Sequence, residues 1–215
     1  MIKEKQSAEE LIASLSDELV KVKVMPHPLL RTLPWFLIAT AYMVIVISII
    51  GLRTDIDVKI NDNGFVYELL HIFAISISAA LCSSWLCVPD MRGRSKWIIA
   101  IPVALLAIFI LEGINRFNIG IIHNINMSWH HCYGDALVFS AVPAFAILAI
   151  SIKGNTTHPY LMSLMNSLSV GALGYAALRL TCSSDDIAHL SSMHIIPYLL
   201  FGIIIAALGR NIYRW

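Results

Sequence analysis

Residues 34–51 read PWFLIATAYMVIVISIIG, eighteen consecutive positions without a charged side chain. At about 1.5 Å of rise per helical residue such a run is ~27 Å long, close to the ~30 Å hydrocarbon core of a bilayer. Five further stretches share this character, near 65–88, 97–116, 134–152, 161–180 and 190–208. Across the 215 residues 58% are hydrophobic and only 13% charged, far from the balance of a water-soluble domain. The expected fold is therefore all-α: an integral membrane six-helix bundle over residues 34–215, preceded by a short cytoplasmic segment over residues 1–33. The polar stretches are too short to support a core of their own, which argues against a separate soluble catalytic domain. A cleavable leader is not expected, because residues 1–31 are charged throughout and the first apolar run begins at Pro34.

Basic residues set the expected orientation. With the N-terminus in the cytoplasm, eleven fall inside (Lys3, Lys5, Lys21, Lys23, Arg31, Arg92, Arg94, Lys96, Lys153, Arg210 and Arg214), and only Arg53, Lys59, Arg116 and Arg179 fall outside. That is a positive-inside bias, and an even number of spans returns the C-terminus to the same side. On the fifth span Ser163, Ser167, Gly171 and Gly174 recur at helical spacing, a smooth strip suited to close helix packing. Trp35, Trp97, Trp129 and Trp215 are expected at the interfaces, where the aromatic belt lies. Glu112 and Arg116, four residues apart on the third span, are expected to form an ion pair.

Ahead of the spans, Ser7 and Glu10 have the spacing of a capping box. Leu11, Ile12, Leu15, Leu19 and Val22 then repeat along one face, so residues 8–23 read as an amphipathic helix. Its other face carries Glu9, Glu10, Asp17 and Glu18, an acidic character that argues against adhesion to an anionic leaflet. Two roles fit: the helix folds back on its own bundle, or it lies in a groove of a soluble partner.

At the opposite side of the membrane, six of the eight histidines gather with two cysteines. Cys132 follows His130 and His131, and Cys182 precedes His189 and His194. Thiolate and imidazole are ligands for transition-metal ions such as zinc, cadmium or copper. The same two cysteines also read as a redox pair, and the whole group as polar residues capping helix ends at a wet interface. Cys82 and Cys87 read as small buried hydrophobes. A metal transporter would need ionisable ligands near the midplane, and the spans have almost none there. A membrane thiol-redox or haem-binding oxidoreductase is the alternative class.

The order of these features resembles the NrsF-type family, negative regulators of sigma F. The resemblance rests on Leu11-Ile12 with Leu15, on Val22 to Arg31 leading into Pro34-Trp35, and on Gly51-Leu52-Arg53-Thr54-Asp55. It continues through Val88-Pro89-Asp90, the outer Cys132 and Cys182, and the terminal Gly209-Arg210 with Tyr213-Arg214-Trp215. The resemblance implies a non-enzymatic, multi-pass anti-sigma factor of the bacterial inner membrane. It would hold an extracytoplasmic-function sigma factor through the N-terminal helix, with no direct contact to nucleic acid. An envelope oxidant or metal signal, acting through Cys132 and Cys182, would release it. The outer stretch with His123, His130 and His131 is richer in histidine than the family pattern, so a metal-ligating role for His130, His131, His189 and His194 is not inherited.

Overall fold

The computed structural model describes residues 7–17, 26–88, 95–119, 132–154 and 156–213, and all regular structure among them is helical. The elements are α1 (Ala8–Asp17), α2 (Pro28–Ile50), α3 (Ile56–Lys59), α4 (Asn63–Leu86), α5 (Ser95–Ile119), α6 (Cys132–Ser151), α7 (Pro159–Thr181), α8 (Ile187–His189) and, after a π-helical turn at Leu190–Ile195, α9 (Ile196–Ile212). Among the described residues six helices are long and apolar enough to cross a membrane: α2, α4, α5, α6, α7 and the stretch Ile187–Gly209.

α1 starts where its capping box dictates. Ser7 Oγ accepts the Glu10 N–H at 3.3 Å while Glu10 Oε2 accepts the Ser7 N–H at 3.1 Å, satisfying two donors that a helix start leaves free. α2 begins at Pro28, ahead of the apolar run, because proline in a first turn sacrifices only an N–H without an intrahelical partner. Gly51 ends it with φ of 96°, a conformation that penalises any side chain.

α7 is the hub of the bundle. It packs against α4, α6 and α9, while α2 lies on α4 and α6, and α5 lies on α4. It is the least apolar of the six candidate spans and the most enclosed. Small residues make that possible. A Cβ on Gly171 would lie 3.1 Å from Tyr198 Cβ, and one on Gly174 would collide with the Tyr198 ring. Gly202 sits against Ser167 and Gly209 against Ser163, so the seam between α7 and α9 is built from backbone approaching small side chains. The outward faces of the other helices remain apolar, with Leu37, Ile49, Leu70, Leu111 and Phe145 exposed.

Trp35 departs from the interfacial expectation. It is 1% exposed, and its Nε1–H donates to Pro143 O at 2.9 Å, because it lies on the face of α2 turned toward α6. Trp97 is 79% exposed, as a belt residue would be, and Trp129 and Trp215 lie outside the described residues. Near the start of α7, Asn166 joins four elements. Its Nδ2 donates to Ser151 Oγ at 3.0 Å and to Tyr213 OH at 2.8 Å, and its Oδ1 accepts from Ser83 Oγ. Thr32 Oγ1 donates to Ser84 Oγ at 2.7 Å in the same layer. Cys82 and Cys87 are fully buried nearby, and Gly154 fits so closely over Cys87 that a Cβ would overlap it.

Candidate functional site

The C-terminus of α7 delivers Cys182, whose N–H closes the last turn on Leu178 O at 2.8 Å. After a short loop the Asp186 carboxylate accepts the His189 N–H at 3.2 Å and starts α8. Cys132 opens α6. Its sulfur lies 3.7 Å from Cys182 Sγ, and His189 Nε2 lies 3.4 Å from both sulfurs. His194 completes the group: the ligand atoms of Cys132, Cys182, His189 and His194 all fall within 4.8 Å of one another.

The π-helical turn is what assembles the two histidines. At about 100° per residue an α-helix places side chains five apart roughly 140° out of phase, so His189 and His194 would point to different neighbours. In the π turn Ile196 N–H bonds to Ser191 O, five residues back, and the extra residue brings the rings into an edge contact with centroids 5.2 Å apart. His194 is completely buried, with neither ring nitrogen hydrogen-bonded. Its ring also meets that of Tyr175, centroids 5.9 Å apart. At Cys182 the Cys132 S–H donates to the sulfur and draws the thiol pKa well below its usual value, against the opposing effect of burial.

An ion network lies beside the cluster, linked to it through Tyr175. The Tyr175 hydroxyl donates to Glu68 Oε1 at 2.6 Å. Glu68 also receives Arg179 Nε at 2.9 Å and Arg116 Nη1 at 2.8 Å. Arg179 reaches on to Asp185 at 2.8 Å, which Lys59 meets at 2.7 Å. Arg53, 2% exposed, is clamped by Asp55 at 2.6 Å and by Asp185 at 3.1 Å. Both arginines stack over the Phe65 ring, 5.3 Å and 5.1 Å from its centroid. The expected pairing of Arg116 with Glu112 is therefore corrected. The turn of α5 aims Arg116 at Glu68 on α4, and Glu112 sits 3.7 Å from His71 Nδ1 instead. Arg53 and Arg179 are members of the network that spacing along the chain does not mark. The signal available was an intramembrane acid, Glu68, that required a cationic partner.

The residues singled out from sequence divide into three groups. Cys132, Cys182, His189 and His194 come together. Ile12 and Leu15 stand exposed on α1, and Leu11 belongs to the same helix. Leu19, Val22, His130 and His131 lie outside the described residues.

Six apolar helices and a thiol cluster at one end of them are compatible with a multi-pass membrane protein. Comparison with known families sharpens this. The family model described as NrsF, negative regulator of sigma F, matches residues 15–215, and the chain belongs to that family. Its description is that of a regulator opposing a sigma factor, not of an enzyme. No curated protein and no solved structure matches the chain.

Proposed function

We propose that the protein is an anti-sigma factor anchored in the bacterial inner membrane, with both termini in the cytoplasm. It holds an extracytoplasmic-function sigma factor there until an envelope signal reaches Cys132 and Cys182. The observation that carries the reading is the family match over residues 15–215. The exposed Ile12 and Leu15 support a grip by helix-in-groove contact, continued by Leu19 and Val22 in the sequence pattern. The 3.7 Å approach of Cys132 and Cys182 supports the trigger.

The trigger chemistry is a two-electron oxidation. A hydroperoxide accepts the electron pair of the two thiols: the S–S bond forms, the O–O bond breaks, and the oxygens leave as an alcohol and water with the two thiol protons. Bringing the sulfurs from 3.7 Å to bonding distance draws the start of α6 toward the end of α7. α6 and α7 are rigid elements, and Tyr198 couples both to α9, since its hydroxyl donates to Ala136 O at 3.1 Å while its ring lies on Gly171 and Gly174. To take a sigma factor from almost wholly bound to almost wholly free, the two packings must differ toward the signal by about 5.5 kcal/mol.

The test is capture of the same cell's sigma factors by purified protein, full length and lacking residues 1–30, with and without peroxide. Capture that needs residues 1–30 and weakens on oxidation is the expected result. Capture unaffected by their removal would overturn the grip. Release that persists in both Cys132→Ser and Cys182→Ser would remove the thiols as trigger.

A further inference from the structure

We infer that Cys132, Cys182, His189 and His194 form a closed tetrahedral site for a zinc-class divalent ion, and, resting on the anti-sigma reading above, that the bound ion guards the trigger thiols against oxidation.

The distances carry the first half. Metal–sulfur and metal–nitrogen bonds of about 2.3 Å and 2.0–2.1 Å in a regular tetrahedron give edges of roughly 3.8 Å between sulfurs and 3.6 Å between sulfur and nitrogen. The cluster has 3.7 Å between its sulfurs and 3.4 Å from each sulfur to His189 Nε2. Hydrogen bonding alone accounts for His189, placed between two thiols. It does not account for His194, enclosed by protein at 0% exposure with both ring nitrogens unpaired. Buried polar groups are almost always hydrogen-bonded or ligating, so a lone imidazole aimed at two sulfurs and a second imidazole asks for an electrophile. Three half-buried ligands and one buried one leave no open coordination position, the pattern of a resident ion rather than a catalytic one. Two thiolates exclude magnesium and calcium and favour a soft or borderline ion.

The second half follows from shared electrons. A sulfur pair donated to the ion is not available to attack a peroxide, and an S–S bond leaves neither thiolate to ligate. Occupancy and disulfide formation therefore exclude each other, and the ion sets how much oxidant is needed.

The experiment uses full-length protein in detergent, reduced, stripped with chelator and titrated with cobalt(II). One equivalent should bind with the intense visible bands of a tetrahedral field and a thiolate-to-cobalt charge-transfer band, all bleached by zinc(II). Changing a group that merely hydrogen-bonds a metal ligand typically costs about 10–100-fold in affinity, so loss of a ligand itself in His189→Ala or His194→Ala should cost more than about 100-fold. His158→Ala, at the other end of α7, should change nothing. His194→Ala counts only if its helical circular dichroism and unfolding temperature persist; His189, half-buried, bears the test regardless. Zinc-loaded protein should lose thiols to peroxide more slowly than stripped protein. Cobalt spectra that are octahedral, or that survive both histidine variants, would overturn the site. Equal oxidation rates would overturn the guard. Sigma-factor capture is read on the same samples. Tetrahedral cobalt binding without capture leaves the ion site standing and removes the anti-sigma reading, and capture without cobalt binding does the reverse.

Discussion

The two ends of α7 are held by different chemistry. Around Asn166 the contacts are neutral: hydroxyls of Ser83, Ser151 and Tyr213 on one amide, with Thr32 and Ser84 beside them. Around Arg179 they are ionic, with Glu68, Asp185, Arg53 and Arg116 in one network and the thiol and imidazole cluster next to it. Neutral hydrogen bonds change little with redox state or mild acid. Thiols respond to oxidants, and imidazoles respond to mild acid. The proposed trigger therefore sits at the end of the hub where thiols and imidazoles meet, away from the neutral contacts of Asn166.

The comparison breaks most readily at Glu68. Glu68→Ala leaves Arg179, only 3% exposed, with Asp185 as its one remaining carboxylate and strips the Tyr175 hydroxyl of its acceptor. Removing one partner of a buried ion pair costs about 3–5 kcal/mol, to be read as a lowered unfolding temperature and yield of the detergent-solubilised protein. A loss under about 1 kcal/mol would make the ionic end incidental to the fold. Asn166→Ala should cost less, about 1–3 kcal/mol, because it strands hydroxyls rather than charges. It should leave thiol reactivity at Cys132 and Cys182 untouched; altered labelling rates there would mean the two ends are not separate. Cys182→Ser should shift stability by only about 1 kcal/mol yet abolish disulfide formation, seen as loss of the peroxide-induced mobility change on non-reducing gels.

The smallest effect is in pH. Burial pushes the Asp185 carboxyl upward, but Arg53, Lys59 and Arg179 outweigh it and hold the pKa well below the aspartate range. Stability from a depressed carboxylate is present above its unfolded pKa of about 3.9 and is lost as pH falls through the folded value. The Asp185 contribution, read as the difference in unfolding temperature between the native chain and Asp185→Asn, should therefore stay flat from about pH 7 to about pH 5 and decline only below about pH 4. Asn166 does not titrate, so Asn166→Ala should show the same profile.

Much of this was legible in sequence, for identifiable reasons. Six apolar runs announce themselves by length, and the capping box of Ser7 and Glu10 is a local pattern that local geometry honours. The strip of small residues on the fifth span marks where another helix can come close, and Tyr198 does. Pairings across helices were not legible, because they depend on how each helix is rotated about its axis. Arg116 therefore found Glu68 rather than Glu112, and Trp35 turned inward. His189 and His194 were legible as candidate ligands beside Cys182, but the turn that brings them to one point was not: ordinary helical spacing separates them, and nothing in Leu190–Ile195 advertises the wider turn.

The enclosure of α7 has a consequence for how the chain is made. Synthesis runs from the N-terminus, so α7 leaves the ribosome with α4 and α6 already available but α9 still to come. In that interval Gly171 and Gly174 lack their tyrosine, and Asn166 lacks Tyr213. The least apolar of the candidate spans is thus without its final packing partner until the last one is made. Completion of the final helix is the step that closes the seam on α7.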